Sequence, residues 1–403
     1  MTSGAKTKRI TIISIFFPPE TGAAPVRISN MAQELQKRGC DVDVITAMPN
    51  YPKGEIFERY RGRMALTEDV TGIPVRRYWL YPSVSKNPIA RLWSMVSFAV
   101  SLWLAFPYLW RRKPDVIIVN SPPIFVGFSG AVLSRICGAR TVMNISDIWP
   151  LSALELGVIK RGTFYSLLER IETFMYRNAQ ACLAQSCETV THIEKRVPGK
   201  RTFLYRNLDK KSSYVEDSAE YDPKEFKIIY AGLLGVAQGV YDLCRHVNFQ
   251  ALGVEFHIYG AGNELSAIRE YIRAHPHCGI FLHEVVPKDQ MQAILARFHA
   301  TIIPLKSHIQ GAFPSKISMA LSAGLPIIFS GSGEGAAIVQ QYGLGLVSDV
   351  GDYATLQQQI ARMKTMGRAQ YEEIRRNCIR ACNSDFDYDR QADALYAFLT
   401  SHP

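Results

Sequence analysis

A lysine at the start of a short helix is the residue most suited to binding an anionic ligand. Pro314, Ser315 and Lys316 open this helix, and Ala323 and Gly324 follow it. Pro314 fits the first helical turn, where an N–H would have no partner, and Gly324 fits the left-handed position after the helix. The free N–H groups of that turn, with Ser315 and Lys316, suit a nucleotide diphosphate. The alternative is an ordinary α/β unit that binds nothing there.

The spacing of its residues assigns the side chains of this helix to two different faces. Ile317, Ala320 and Leu321 share an apolar stripe that should face a sheet. Lys316 and Met319 are three residues apart on another face, so Met319 is a possible site position.

Two further candidates should follow strands near the N-terminus. Gly22 lies in a strand-to-helix loop where the missing side chain lets the backbone approach a diphosphate, and Arg27 is expected on the first turn of the next helix. The alternative is a tight turn with a surface arginine. Asp147 is expected at the carboxyl end of a strand, where site residues collect, or else as a helix N-cap.

Glycines mark two loops nearer the C-terminus. Gly260 and Gly262 follow a predicted strand and should open a helix, so their N–H groups could contact a nucleotide, although this pattern is a weak signal. Glu334 lies between two glycines and could bind ligand hydroxyls or cap the helix that follows; we favour capping.

Bulk composition limits the partners. The chain has 403 residues, 46 Lys and Arg against 36 Asp and Glu, and a net charge of +10. This excess fits phosphate ligands or an anionic membrane surface, and no nucleic-acid-binding motif is present. The 8 cysteines are scattered without zinc-site spacing, so most are expected to be buried, reduced thiols. The N-terminus lacks the apolar region of a secretory signal, which predicts a cytoplasmic location.

Alternating strand and helix patterns predict an α/β fold with parallel sheets covered on both faces. We expect two Rossmann-like domains, at residues 1–208 and 226–384, joined by a polar linker at 209–225. A last helix within 385–403 could pack back on the first domain. A cleft between the two sheets is the default binding site.

Residues 89–110 form an apolar segment long enough to cross a bilayer. Three serines and Pro107 count against a span. We favour an interfacial helix with Arg91 and residues 111–113 reaching lipid head groups, and a buried core helix is the second alternative.

Taken together, the ordered motifs resemble the family 4 glycosyltransferases of the GT-B fold, especially the bacterial group that includes L-fucosamine transferases of surface-polysaccharide assembly. The matching segments lie at residues 16–27, 48–52, 114–115, 120–123, 146–150, 207–209, 230–232, 259–262, 314–316, 323–326 and 333–335.

The resemblance implies two Rossmann-like domains facing across a cleft and a retaining glycosyltransferase activity. The donor would be a UDP-type nucleotide sugar, with an N-acetylated amino or deoxy sugar. The acceptor would be a polyprenyl-diphosphate-linked saccharide of O-antigen, capsule or exopolysaccharide synthesis. The resemblance further implies no metal or other cofactor, and a peripheral location on the cytoplasmic face of the inner membrane.

Site roles follow from the same resemblance. Asp147 would face the sugar or the acceptor and is the candidate catalytic residue. Val286 lies where the family holds the base by main-chain contacts. The predicted donor-binding residues are Gly22, Arg27, Asn207, Gly232, Gly260, Gly262, Val286, Ser315, Lys316, Met319 and Glu334.

The sequence departs from the family pattern in two places. Gly311 and Met319 stand where many members have glutamates, and Val236 and Gln238 stand where a basic pair usually contacts the diphosphate. Either the donor is held differently, with Lys316, Lys306 and His308 as replacement cations, or activity is lost. Loss of activity would leave a scaffold protein, and a nucleotide-sugar epimerase is the third alternative.

Overall fold

The computed structural model describes residues 7–83, 88–213 and 219–401, and gives only the backbone for residues 88, 89, 91, 288 and 289. The side chain of Arg91 and residues 214–218 of the predicted linker therefore lie outside the described residues. The chain forms two compact units. Unit 1 comprises Met1–Arg206, Gln310–Ala312 and Arg390–Pro403, and unit 2 comprises Asn207–Ile309 and Phe313–Asp389.

Unit 1 is built on an eight-stranded sheet with the strand order β3-β4-β2-β1-β5-β6-β7-β8. All neighbours are parallel except β3 and β4. The central strands are continuous apolar runs because helices cover both faces of the sheet. The strands are β1 (Arg9–Ile13), β2 (Asp41–Ala47), β3 (Ala65–Val70), β4 (Ile73–Tyr78), β5 (Val116–Ser121), β6 (Arg140–Ile145), β7 (Ala181–Ala184) and β8 (Thr202–Leu204).

The helices of unit 1 connect these strands as crossovers. They are α1 (Ala23–Lys37), α2 (Pro88–Ser101), α3 (Phe106–Arg112), α4 (Ile124–Ile136), α5 (Leu151–Glu155), α6 (Thr163–Asn178) and α7 (Cys187–Arg196), with 3₁₀ turns at Glu58–Tyr60 and Leu102–Ala105.

Unit 2 contains a six-stranded, fully parallel sheet with the order β11-β10-β9-β12-β13-β14. The strands are β9 (Lys227–Ala231), β10 (Glu255–Tyr259), β11 (Ile280–His283), β12 (Ala300–Pro304), β13 (Ile327–Ser330) and β14 (Gly345–Ser348). The helices are α8 (Val240–His246), α9 (Phe249–Leu252), α10 (Leu265–Ala274), α11 (Lys288–Leu295), α12 (Ser315–Ser322), α13 (Glu334–Gln341), α14 (Tyr353–Thr365) and α15 (Arg368–Cys382). The predicted α/β class with two mainly parallel sheets is confirmed.

The final helix, α16 (Tyr388–Thr400), lies mostly in unit 1. Its side chains Leu395 and Leu399 are buried in the same apolar cluster as Ile10 and Ile12 of β1. Arg38, the C-cap residue of α1, forms an ion pair with Asp393 at 2.8 Å. The helix therefore forms part of the cover of the unit 1 sheet.

The apolar segment predicted at 89–110 is not one continuous α-helix. It comprises α2, a 3₁₀ turn and α3, and Pro107 lies in the first turn of α3. Pro107 has no N–H to bond to the carbonyl of Trp103, which a continuous α-helix would require. Leu92–Arg112 is long and apolar enough to cross a membrane, with a mean hydropathy of 1.5. One side of it is core: Phe98, Leu102 and Leu109 are buried, and the Ser97 hydroxyl accepts a 2.8 Å hydrogen bond from the Tyr81 N–H. The segment thus packs on unit 1 with one side buried and the other exposed.

Candidate functional site

Helix α12 presents its open N-terminus as predicted, with one correction. The helix begins at Ser315, so Pro314 is the N-cap residue and does not lie in the first turn; its ψ of 105° is extended. An extended ψ directs the chain into the helix without making Pro314 part of it. Gly324 has a φ of 62°, which confirms the left-handed position. Ile317, Ala320 and Leu321 are buried, as the apolar stripe predicts.

The ammonium group of Lys316 lies over the ring of Tyr230 and beside the backbone of Gly232. Its Nζ is 4.9 Å from the centre of the Tyr230 ring. A Cβ added at Gly232 would come within 2.8 Å of Lys316 Cε and 3.1 Å of Nζ. Residue 232 must therefore lack a side chain for the lysine to occupy this position.

Lys316 carries a charge without a counter-ion. Across residues 7–83, 88–213 and 219–401, no carboxylate forms an ion pair with its half-buried side chain. Burial lowers the pKa of Lys316 from its ordinary 10.5 to about 8. Its neighbour Tyr230 stays neutral, since burial raises the pKa of the phenol, whose hydroxyl donates to Leu233 O at 2.5 Å. An anionic ligand would supply the missing negative charge.

Gly260 and Gly262 hold two loops together. A Cβ at Gly260 would lie 2.0 Å from Gly232 O, and one at Gly262 would lie 2.3 Å from Leu234 O. The loops are joined by hydrogen bonds from Gly232 N to Tyr259 O (2.9 Å) and from Leu234 N to Ala261 O (2.8 Å). Helix α10 begins only at Leu265, so the prediction that these glycines open a helix is wrong: the chain first packs on the neighbouring loop. A nucleotide contact there stays a prediction.

The other predicted donor residues of unit 2 have varied surroundings. Met319 is half-buried against an apolar cluster that includes Ala231. Ser315 is the first residue of α12. The N-cap of α13 is Gly333, and Glu334 is the first residue of the helix itself. The prediction that Glu334 caps this helix is therefore wrong. Val286 and Asn207 are half-buried. The structure therefore brings together Lys316, Gly232, Gly260 and Gly262, and their donor-binding roles stay predictions.

In unit 1, Arg27 is buried at the carboxyl ends of three strands. Its guanidinium donates to Gln185 Oε1 at 2.9 Å, to Asn120 Oδ1 at 3.3 Å and to Ser146 Oγ. It lies on the second turn of α1, because the helix begins at Ala23, and its relative exposure is 5%. The alternative of a surface arginine is therefore wrong, as is the first-turn placement.

Asp147 is a carboxylate whose charge acts on Arg27. Burial raises the pKa of Asp147 and the charge of Arg27 opposes that rise. Burial also lowers the pKa of Arg27, with Tyr205 and Asp147 acting in the opposite sense. The N-cap of α5 is Pro150, so Asp147 is not a helix cap. The raised pKa of Asp147 fits a carboxylate that accepts a proton, and the catalytic role stays a prediction.

Gly22 is the N-cap of α1, and a Cβ placed on it would meet the Tyr51 ring at 3.6 Å. The partners of Arg27 and the Tyr230 ring were not predicted as site residues. Asn120, Ser146 and Gln185 end or directly follow buried parallel strands, and this position was the available signal. The sequence around Tyr230 is that of an ordinary buried strand and does not indicate a site residue.

The structure shows the surroundings of Gly311, which departs from the family pattern, and of Lys306, a candidate replacement cation. Gly311 lies in unit 1, where its O accepts from Ser186 Oγ at 2.8 Å and its N donates to Glu188 Oε2 at 2.7 Å. A Cβ there would lie 2.7 Å from Ile148 Cδ1. Lys306 is bound to Asp242 at 2.9 Å and so is a poorer replacement cation than Lys316.

A resident metal has no evident site in the part of the chain described, since no group of three His, Cys, Asp or Glu side chains there could hold an ion. The absence of a cofactor stays an expectation.

Comparison with known proteins identifies the family. Residues 22–206 match the glycosyl transferase 4-like domain, and residues 225–365 match the glycosyl transferases group 1 domain. The chain belongs to the family 4 glycosyltransferases of the GT-B fold. This glycosyltransferase is 26% identical over 333 residues to the putative colanic acid biosynthesis glycosyl transferase WcaI of Escherichia coli (strain K12). The match covers 78% of this chain and 81% of that protein.

Solved structures agree on the fold of this glycosyltransferase. A sucrose-phosphate synthase from Thermosynechococcus elongatus matches with a TM-score of 0.72 at 14% identity, over 97% of this chain and 98% of that one. The lipopolysaccharide outer core galactosyltransferase WaaB matches with a TM-score of 0.63 at 16% identity, over 97% and 99%. The glycosyl transferases group 1 match and the similarity to WcaI support an enzyme of the hexosyltransferase class.

Proposed function

We propose that this glycosyltransferase acts in bacterial polysaccharide biosynthesis and moves a sugar from a UDP-type nucleotide donor to a lipid-linked saccharide with retention of anomeric configuration. The single observation that carries donor binding is the uncompensated ammonium of Lys316 beside Gly232. The likeness to a colanic acid transferase supports the pathway class. The sugar is an N-acetylated amino or deoxy hexose of O-antigen, capsule or exopolysaccharide.

Unit 2 binds the diphosphate in this proposal. Free N–H groups at the start of α12 and the Lys316 ammonium would stabilise the negative charge that develops on the leaving nucleotide diphosphate. Each charge-assisted contact is worth about 1.5–3 kcal/mol, or roughly 10- to 150-fold in affinity. Because this charge is supplied by the protein, no metal ion is needed to neutralise it.

Unit 1 supplies groups suited to a sugar. Arg27 fixes the Asn120, Ser146 and Gln185 side chains at the carboxyl edge of the sheet, and Asp147 stands next to this network. Amides, hydroxyls and a carboxylate are the groups that bind saccharide hydroxyls. Asp147 accepts the proton of the acceptor hydroxyl in this mechanism. Burial raises the pKa of Asp147, which favours a proton acceptor, and the charge of Arg27 opposes part of that rise.

The acceptor's lipid carrier places the enzyme at the cytoplasmic face of the inner membrane. Trp93, Trp103 and Trp110 are exposed on the Leu92–Arg112 segment, and Arg111 and Lys113 follow at its end. Exposed tryptophans with basic neighbours are typical of a helix that lies at a bilayer interface.

A binding and turnover experiment tests the donor assignment. UDP, GDP and dTDP are titrated into the protein, and we expect UDP to bind most tightly and to raise the melting temperature. Lys316→Met should weaken UDP binding at least tenfold, and Lys316→Arg should weaken it less because the charge remains. Equal affinity of the parent and Lys316→Met would remove the lysine from the site.

A mass-spectrometric screen of nucleotide sugars with short prenyl-diphosphate saccharides then identifies the donor. Anomeric coupling constants of the product test retention, and an inverted product refutes it. Turnover that persists in excess chelator supports metal-independent transfer, whereas its loss contradicts it.

A further inference from the structure

Three neighbouring helices of unit 1 expose large apolar side chains. Helix α2 packs against α4, and α4 packs against α6. Trp103 and Leu104, directly after α2, are 42% and 54% exposed. Phe128 and Ile136 are exposed on α4. The apolar surface thus continues beyond the segment that is long enough to cross a membrane.

Helix α6 adds a stripe of its own. Phe164, Leu167 and Phe174 are exposed, with Leu167 at 52%. Their spacing of three and seven residues puts them on one side of the helix. The Phe174 ring centre is 5.2 Å from that of Phe128 on α4, so the apolar surface is continuous between the two helices.

Arginines border this stripe. Arg170, Arg177 and Arg196 line a cavity of about 430 Å³ together with Phe174 and one carboxylate residue, Glu169. Glu169 is paired with Arg196. Arg170 and Arg177 are exposed, and no ion pair to either side chain occurs among the described residues. The cavity therefore offers two uncompensated positive charges next to apolar side chains.

The sequence from α2 to just after β6, residues 88–146, also carries more basic than acidic side chains. Residues 88–146 contain one acidic side chain, Asp115. The basic side chains in this range are Arg91, Arg111, Arg112, Lys113, Arg135 and Arg140. A surface that combines exposed aromatic residues with this excess of positive charge is complementary to an anionic bilayer, because the aromatic rings enter the interface and the cations meet lipid phosphates.

We propose that the exposed sides of α2 with the 3₁₀ turn that follows it, α4 and α6, here called the docking face, bind an anionic lipid bilayer, with Arg170 and Arg177 contacting lipid phosphates. This inference rests on the proposed function, because it names the membrane surface at which a lipid-linked acceptor is reached. It adds α4 and α6 to the membrane contact of Leu92–Arg112.

Vesicle flotation tests the basic part of the docking face. Protein is mixed with phosphatidylcholine vesicles that contain either no phosphatidylglycerol or a large share of it. Replacing both Arg170 and Arg177 by Gln should weaken partition to the anionic vesicles about thirtyfold, since each basic side chain near such a surface contributes a factor of about five. The matched control replaces Arg269 and Arg273 of α10, also exposed, by Gln and should bind like the parent.

Single changes to serine test the apolar part. Leu167→Ser on α6 and Trp103→Ser should both reduce partition, and added salt should reduce binding of the parent. Parent-like binding of the Arg170 and Arg177 double variant and of Leu167→Ser, with loss in Trp103→Ser, would overturn the contribution of α6. A parent protein that dimerises through this face and floats with neither vesicle would overturn the docking face entirely.

Transfer to a water-soluble acceptor separates this proposal from the proposed function. All docking-face variants should retain that transfer, because none of the changed residues belongs to the Lys316 or Arg27 sites. If the parent transfers sugar in solution and does not bind vesicles, the docking face fails and the transferase assignment stands. If it binds vesicles and transfers no sugar from any donor, the proposed function fails.

Discussion

Replacing Lys316 by methionine should make unit 2 more stable while weakening nucleotide binding. Burial lowers the pKa of Lys316 from 10.5 to about 8, and a difference of that size corresponds to about 3 kcal/mol against the charged form. Solvent reaches part of this side chain and screens its charge, and the contact with the Tyr230 ring also favours the cation. We therefore expect Lys316→Met to stabilise the protein by about 1–2 kcal/mol at pH 7.

The pH dependence of this gain has a defined sign. In the unfolded chain the lysine loses its proton near 10.5, and in the folded protein near 8. Between these values the unfolded state binds more protons, so the unfolding free energy of the parent rises with pH. Lys316→Met lacks this rise. The advantage of the variant should be full below pH 8 and should disappear as the pH approaches 10.5.

Calorimetry at pH 7 and pH 9.5 measures both effects. For a unit of this size, 1 kcal/mol corresponds to roughly 2–4 °C in melting temperature, so we expect a rise of a few degrees at pH 7 and a smaller one at pH 9.5. The control is Lys306→Met, which removes an exposed lysine already paired with Asp242 and should not become more stable. A lower melting temperature for Lys316→Met at pH 7 would refute the uncompensated charge.

Three further substitutions test other parts of the site. Arg27→Met should destabilise unit 1 by about 2–4 kcal/mol in urea unfolding, because it removes the hydrogen bonds to Gln185 and Ser146 and the charge that faces buried Asp147; an unchanged midpoint would contradict this. Gly260→Ala should lower the melting temperature, since its methyl would meet Gly232 O. Gly367→Ala, with open space around it, serves as the control that should lose nothing. Gly311→Glu should destabilise the protein and fail to strengthen UDP binding, because residue 311 has a φ of 83° and close neighbours; tighter binding would refute this.

The sheets were predictable from the sequence to the extent that their strands are continuous apolar runs. Ile228, Ile229 and Tyr230 of β9 are all fully buried. A short apolar run of this kind, bounded by polar residues, is typical of a buried parallel strand. The β3–β4 hairpin was missed because β3 alternates between exposed and half-buried residues and lies at a sheet edge. The turn between these strands, Thr71 and Gly72, was its signal.

The site was predictable in part, for a physical reason. Lys316 follows from a local signal, because a proline and a glycine mark the ends of its helix. The packing of Gly260 against Gly232 depends on two loops that are 28 residues apart in the chain, and no local pattern encodes that distance. The partners of Arg27 likewise come from separate strands, which only the sheet order brings together.

Met319 and Lys316 together explain why a departure from the family pattern is compatible with donor binding. The two residues are one turn apart on α12, so a glutamate at 319 would be placed to pair with the lysine. Met319 instead packs against the apolar cluster around Ala231, and within the described part of the chain no carboxylate pairs with the Lys316 ammonium. In the proposed function, the unpaired charge of Lys316 destabilises the empty site and a bound diphosphate would relieve this cost. The contact between Lys316 and the diphosphate would then offset part of the loss of carboxylate contacts to the donor.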